Sequence, residues 1–346
     1  MTGLKAVALA GFTVVHAAIF PAQAAESWCM VPRSQATTAL PSVLRTLDAV
    51  RNRPPRPLAH LHTEGTLPHQ GIYDESMAAK RDLPLMQDAA FAWRAHAGEE
   101  WLDFARRYLM AWVTTYEPSL NPIDETGFDT LIDTYAIIGP SLSPEEQARV
   151  RDYLHAWATG YVEAIARHNA RPTWANNWQS HRIKLVTMMA VALGDTALFD
   201  DARTLFRAQI AANIAPDGET LDFRERDALH YVTYDLQPLV QAALTARMYG
   251  EDWYHWTTAD GASLAGAMAW LMPYETGQKT HDEFVHSTVR FDAIRAQAGL
   301  KGYSGSFDPR SGRLLLWLAF ELDPSLRPLA VHLDGGLPPL VALCGQ

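Results

Sequence analysis

The sequence predicts an all-α protein, an (α/α)n toroid or incomplete helical barrel built from helical hairpins. Three observations carry that expectation. From Ala36 onward the apolar residues recur mostly at helical spacing, and alternating strand-like runs are scarce. The helical segments follow one another with only short Gly, Pro or Asp punctuation between them, so neighbours form hairpins. No fixed-period repeat supports an open solenoid, which leaves closure into a ring as the better solution.

Taken in order, the chain begins with Lys5 ahead of an apolar stretch from Ala6 to Phe20 and then Ala22-Gln23-Ala24, the small-x-small pattern of a secretory cleavage site. Residues 1–24 therefore read as a signal peptide, and an exported protein, periplasmic or secreted, is expected to start near Ala25. The stretch is shorter than the ~20 residues of a membrane span and no later uncharged run reaches that length, so no membrane partner is expected after cleavage. Residues 25–346 read as one catalytic domain, because no composition shift divides them. Arg51 to Pro57 is rich in Pro and reads as a linker or a crossing strand.

Between about Ala89 and Thr115, Phe91, Trp101, Leu102, Ala105, Tyr108, Leu109 and Trp112 share a buried face, with Gly98 separating two adjacent helices. Ser143-Pro144-Glu145-Glu146 supplies a capping Ser, a Pro at the first helical position and acids in the first turn, opening a helix that runs to about His168. Further helices are expected at 125–138, 177–193, 196–214, 224–248, 260–271 and 282–297. After Leu300 the chain is richer in Gly and Pro and reads as short strands or irregular structure.

A net charge of −10 at pH 7 argues against nucleic acid as a partner, which is normally met by a basic surface. An anionic substrate would instead need a local pocket of convergent Arg, His and Lys groups. Cys29 and Cys344, the two cysteines, match no metal-ligand spacing. Either they staple the two ends of the mature chain or they lie too far apart to bridge.

Two stretches concentrate polar chemistry. In Trp174-Ala175-Asn176-Asn177-Trp178-Gln179-Ser180-His181-Arg182, amides, a histidine and an arginine open a helix, and Asn177 and His181, four residues apart, share a face. The plainer alternative is an Asn cap followed by a His packed on a neighbouring helix. In the stretch from Asp222 to Asp235, Arg226, His230 and Tyr234 fall at i, i+4 and i+8 with Tyr231 beside them. Its alternative is a solvated charged face with tyrosines folded onto the core.

At these residues the sequence resembles the alginate lyase family of polysaccharide lyases, over roughly Leu58 to Tyr254. Three parts carry the likeness: His62-Thr63-Glu64-Gly65-Thr66, Trp174 to Arg182, and an Asp-Gly element followed by residues 226 to 239, where Tyr231 and Tyr234 precede Leu236 to Leu239 in a Leu-x-Pro-Leu run. Two departures mark a divergent member. The family's paired Asn is followed directly by His, whereas here Trp178 intervenes and His181 stands four residues beyond Asn177. A family lysine two residues before the Glu-Gly is replaced by His62. The resemblance implies a lyase acting on polymannuronate or polyglucuronate, with Tyr231 as first choice of catalytic phenol and Tyr234 as second.

β-Elimination removes the C5 proton of a uronate and expels the C4 oxygen, so charge building on the C6 carboxylate must be stabilised. Asn177, with His181 or Arg226 beside it, suits that task through directional donors and a bidentate cation. In mannuronate and glucuronate the two leaving groups lie on the same side, so one phenol can act as base and then acid, provided neighbouring cations such as His230 lower the ordinary phenol pKa of ~10. The scheme calls for no metal and no cofactor. Substrate contacts are expected from His62, Asn176, Trp178, Arg182, Arg224 and Arg290, with Trp174, Trp178 and Tyr73 available for stacking on sugar faces. The expected partner is an anionic uronic-acid polysaccharide. The rivals are an inverting glycoside hydrolase, one or both of whose two carboxylates would come from Asp217, Glu219, Asp222 and Asp227, and an exported carbohydrate-binding protein.

Overall fold

A computed structural model describes residues 27–29, 33–168, 171–334 and 336–344, and the expected signal peptide lies outside the described residues. Within these residues fifteen α-helices follow one another: α1 (Arg33–Val50), α2 (Tyr73–Lys80), α3 (Asp82–Arg94), α4 (Glu100–Thr115), α5 (Asp129–Ile138), α6 (Pro144–Ala166), α7 (Asn177–Leu193) and α8 (Thr196–Asn213), then α9 (Leu221–Arg226), α10 (Leu229–Ala246), α11 (Leu264–Glu275), α12 (Arg290–Gln297), α13 (Arg313–Phe320), α14 (Arg327–Asp334) and α15 (Pro339–Cys344). Among the described residues there is no β-strand, only three isolated bridges. No helix there is long and apolar enough to cross a membrane.

The helices form two layers. α3, α5, α7, α10 and α13 pack on one another in that order as an inner arc, while α4, α6, α8 and α11 cover it from outside. Sequence explains the split. Every residue of α7 except Trp178 is buried, as expected of a helix enclosed on all sides. α4 buries only one stripe, Trp101, Phe104, Ala105, Tyr108, Leu109, Trp112 and Val113. The toroid is thus the hairpin arrangement that the periodicity predicts. α1 packs on both α3 and α15, and the Cys29–Cys344 disulfide ties the two ends of the described chain, which settles the open choice between a staple and separated thiols.

Local signals set the helix ends. Ser143 accepts from Glu146 N and the Glu146 side chain answers at Ser143 N, a complete capping box. Gly194, at φ +65°, terminates α7 in the left-handed conformation that glycine adopts without a Cβ penalty, and Asp195 then caps α8. Arg51 to Pro57 is irregular, the linker and not the crossing strand of the two readings, and is pinned where the buried Asp82 carboxylate accepts from the Arg53 side chain and, at 2.5 Å, from Arg56 N.

Three expectations need correction. The segment 224–248 is two helices, because Asp227 takes φ +50° and holds a loop against itself: its carbonyl accepts from Phe284 N at 2.8 Å and its carboxylate from His286 N at 2.9 Å. Residues 282–289 are accordingly irregular, and only 290–297 is helical, because those backbone groups bond to the α9–α10 junction. The region after Leu300 carries three short helices where short strands or irregular structure were expected, since the run Leu314 to Leu318 buries against α10 as a helix face.

Glu275 ends α11 fully buried against Gly312, where any Cβ would collide with its carboxylate. Neither oxygen meets a protein donor, and burial, then Asp308, pushes its carboxyl from 4.5 up to about 8. The folded state therefore holds this proton more tightly than the unfolded chain. Its contribution to stability is complete below the ordinary value and is lost as pH rises from 4.5 to about 8. Urea unfolding of Glu275→Gln is expected to show a stabilisation over the parent at about pH 9 that shrinks at about pH 5; a pH-independent difference would contradict it.

Candidate active site

The first turns of α7 and α10 and the last residue of α9 open on a cleft of about 600 Å³. Asn177, Trp178, Arg226, His230, Tyr231 and Tyr234 line it. Glu64 and Gly65 approach from the loop before α2, and Phe291, Arg295 and Tyr303 from the segment around α12.

Asn177 is the first residue of α7, where Asn176 caps the helix by accepting from Trp178 N at 3.2 Å. A buried helix start has orphan N–H groups to satisfy. Asp222 on α9 does so: it accepts from Asn177 N at 2.6 Å and from Asn177 Nδ2 at 2.5 Å, with Arg226 Nε 3.6 Å away. Burial, and then the charge of Asp235, raises the Asp222 carboxyl well above the usual range despite those donors. Behind it, Asp235 on α10, pushed up to about 6 by burial, accepts from Ser180 Oγ and Asn213 Nδ2, each at 2.6 Å.

Tyr231 faces the cleft between two cations. Arg295 Nη1 donates to its hydroxyl oxygen at 2.7 Å, and the Arg226 guanidinium lies over its ring, 3.9 Å from the centroid. Arg226 Nη1 in turn donates to Asp292 Oδ1 at 2.5 Å. His230 donates its backbone N–H to Glu283 at 2.9 Å, and burial, then Arg295 and Arg226, lowers its imidazole so that the neutral ring is favoured. Tyr234 borders the same cleft in a different setting. Its ring packs on His181 at 4.5 Å, and burial raises its phenol.

The structure thus brings together Asn177, Trp178, Arg226, His230, Tyr231 and Tyr234 and leaves six other candidates off the cleft. His181 is buried behind Tyr234; neither ring nitrogen meets a protein partner, and burial, followed by Lys184 and Lys80, holds it neutral. Arg182 turns back to donate to Thr173 O at 2.7 Å, with its guanidinium 3.7 Å from the Trp174 ring centroid. Arg224 donates to the Glu219 and Asn213 carbonyls, and Arg290 is exposed at the start of α12. Asn176 is spent as the cap. His62 is exposed, 3.3 Å from Asp124, although its neighbours Glu64 and Gly65 do reach the cleft. Sequence reasoning missed Asp292, Arg295 and Tyr303. The one signal was an Asp and an Arg three residues apart on a predicted helix, a spacing common on solvated faces.

The family model described as alginate lyase matches residues 21–281. The chain belongs to the alginate lyase family. It is accordingly a polysaccharide lyase. A comparison with curated proteins finds no match. Among solved structures, an alginate lyase from Bacteroides ovatus is similar at a TM-score of 0.64 and 16% identity, covering 90% of this chain and 95% of that one. Alginate lyase A1-III carrying a histidine-to-alanine substitution, complexed with tetrasaccharide, is similar at 0.61 and 16%, covering 92% and 95%. Alginate lyase A1-III from Sphingomonas species A1 is similar at 0.56 and 18%, covering 83% and 93%. At these identities the likeness establishes the fold. The match of the lyase to its family model ends at residue 281, so Asp292, Arg295 and Tyr303 all lie beyond it.

Because the His181 ring has no face on the cleft, His181→Phe, which fills the same slot against Tyr234, is expected to keep kcat on alginate within about fivefold of the parent. Initial rates of unsaturated product formation check this, and a hundredfold loss would overturn it.

Proposed function

We propose that this lyase cleaves 1,4-linked uronic-acid polymers, polymannuronate or glucuronan, by syn β-elimination that leaves 4,5-unsaturated uronate ends. The observation that carries the reading is the Tyr231 hydroxyl, open to the cleft, hydrogen-bonded to Arg295 and flanked by Arg226. The tetrasaccharide complex of alginate lyase A1-III supports a saccharide chain as the occupant of such a cleft.

In this scheme the C6 carboxylate of the substrate lies against Asn177 and Arg226, whose donors stabilise the charge that builds there as the C5 proton leaves. The ionised Tyr231 oxygen takes the C5 proton. The C4–O bond then breaks as the C4=C5 double bond forms, and Tyr231 returns the same proton to the departing oxygen. Arg295 stabilises the phenol oxygen while it carries charge. Burial outweighs Arg295 at Tyr234 and pushes its phenol toward the neutral form, which ranks it second. The reading includes export of a single catalytic domain, residues 25–346, on the strength of residues 5–24.

Incubation with polymannuronate, polyguluronate, polyglucuronate and a neutral glucan is expected to give ultraviolet-absorbing unsaturated ends from the first or third. New reducing ends without absorbance would mean hydrolysis and sink the reading. Tyr231→Phe should lose about 10²–10⁴ in kcat, as for loss of a general acid–base, with Tyr234→Phe affected far less. Asn177→Ala should lose about 10²–10³, as for a lost oxyanion donor.

A further inference from the structure

We propose that Asp292 is a positioning residue for the elimination, a single buried carboxylate that sets both guanidinium groups against the Tyr231 phenol. The inference rests on the reading of Tyr231 as the proton carrier. Asp292 is 1% exposed and does not border the cleft, so it acts through its neighbours. Its Oδ1 accepts from Arg226 Nη1 at 2.5 Å and lies 3.7 Å from Arg295 Nη1, and its Oδ2 accepts from Ser287 Oγ at 2.8 Å.

The electrostatic need is plain. Arg226 and Arg295 both contact one phenol, one over the ring and one at the oxygen, and two like charges so placed repel in a poorly hydrated site. An anion between them offsets that repulsion and fixes the direction of each fork. Asp222 lies 3.6 Å from Arg226 Nε without a hydrogen bond to it, and its own donors are the Asn177 backbone and side-chain amides. Asp292 is thus the anion common to both cations. Holding Arg295 in place also fixes which side of the phenol oxygen is left open for the C5 proton. This carboxylate comes from α12, beyond the part of the chain that the family model matches, so the last helices complete the site as well as closing the fold.

The test is a mutant cycle on the full chain. Asp292→Asn, which keeps size and some hydrogen bonding, is expected to lower kcat about 30–100-fold while KM stays within about threefold, the signature of an interaction used in the transition state. In an Arg295→Gln background the same change should cost less than about fivefold, because one of the two groups it positions is already lost. Asp292→Glu should recover part of the rate. Equal fractional losses in both backgrounds, or full activity of Asp292→Asn, would overturn the proposal. If Asp292→Asn does not fold by circular dichroism, Ser287→Ala replaces it, with an expected loss of about 3–10-fold in kcat at constant KM that vanishes in the Arg295→Gln background; no loss, or one that persists there, would overturn it. Full activity of Tyr231→Phe would remove the underlying reading instead, whereas an inactive Tyr231→Phe beside a fully active Asp292→Asn would remove this inference alone.

Discussion

The pairing of Asp222 with the start of α7 is the constraint on which the site depends. A helix that begins in the interior presents N–H groups that water cannot reach, and leaving one unsatisfied costs about 1–3 kcal/mol. Asp222 answers with both oxygens, one on the Asn177 backbone and one on its amide side chain. That contact docks α9 against α7. Once α9 is docked, Arg226 at its end and Tyr231 in the first turn of α10 have little freedom in where they point.

The break between α9 and α10 is the second consequence. A continuous helix from 221 to 246 would keep Arg226 and Tyr231 at fixed angular separation on one rod. With Asp227 in the left-handed region, the chain turns so that the Arg226 guanidinium lies over the Tyr231 ring. A non-glycine residue at positive φ is uncommon. Here the Asp227 carbonyl and carboxylate both serve as acceptors for the 281–286 loop, which offsets the conformational cost. The same loop leads into α12 and delivers Asp292 and Arg295. Backbone conformation at one residue and side-chain electrostatics some 65 residues later are parts of one arrangement.

The opposite wall follows a similar logic. Asp124 accepts from Thr63 N, Thr63 Oγ1 and Glu64 N, which holds the Glu64–Gly65 turn at the cleft. Its neighbour Glu125 is buried among Tyr116, Trp157 and Tyr161, all of which donate to it. Two adjacent acids thus face opposite ways, one into the aromatic core and one toward the loop. An acidic protein with a net charge of −10 gathers cations at one cleft by placing buried carboxylates behind them, consistent with an anionic polymer as substrate.

Much of this was legible in the sequence for local reasons. Helical periodicity, the Ser143 cap and the face shared by Trp101, Tyr108 and Trp112 depend on residues three or four apart, and these predict the toroid of helical hairpins. The polar stretches at 174–182 and 226–234 supply Asn177, Trp178, Arg226, His230, Tyr231 and Tyr234 to the one cleft. Tertiary structure alone decided the rest. It placed His181 behind Tyr234, turned Arg182 and Arg224 away from the cleft, joined Cys29 to Cys344 and brought Arg295 to the Tyr231 oxygen. No spacing rule encodes a contact between residues 64 or 315 positions apart. Such contacts are set by which helix faces pack, and by the need of each buried charge for a partner once they have packed.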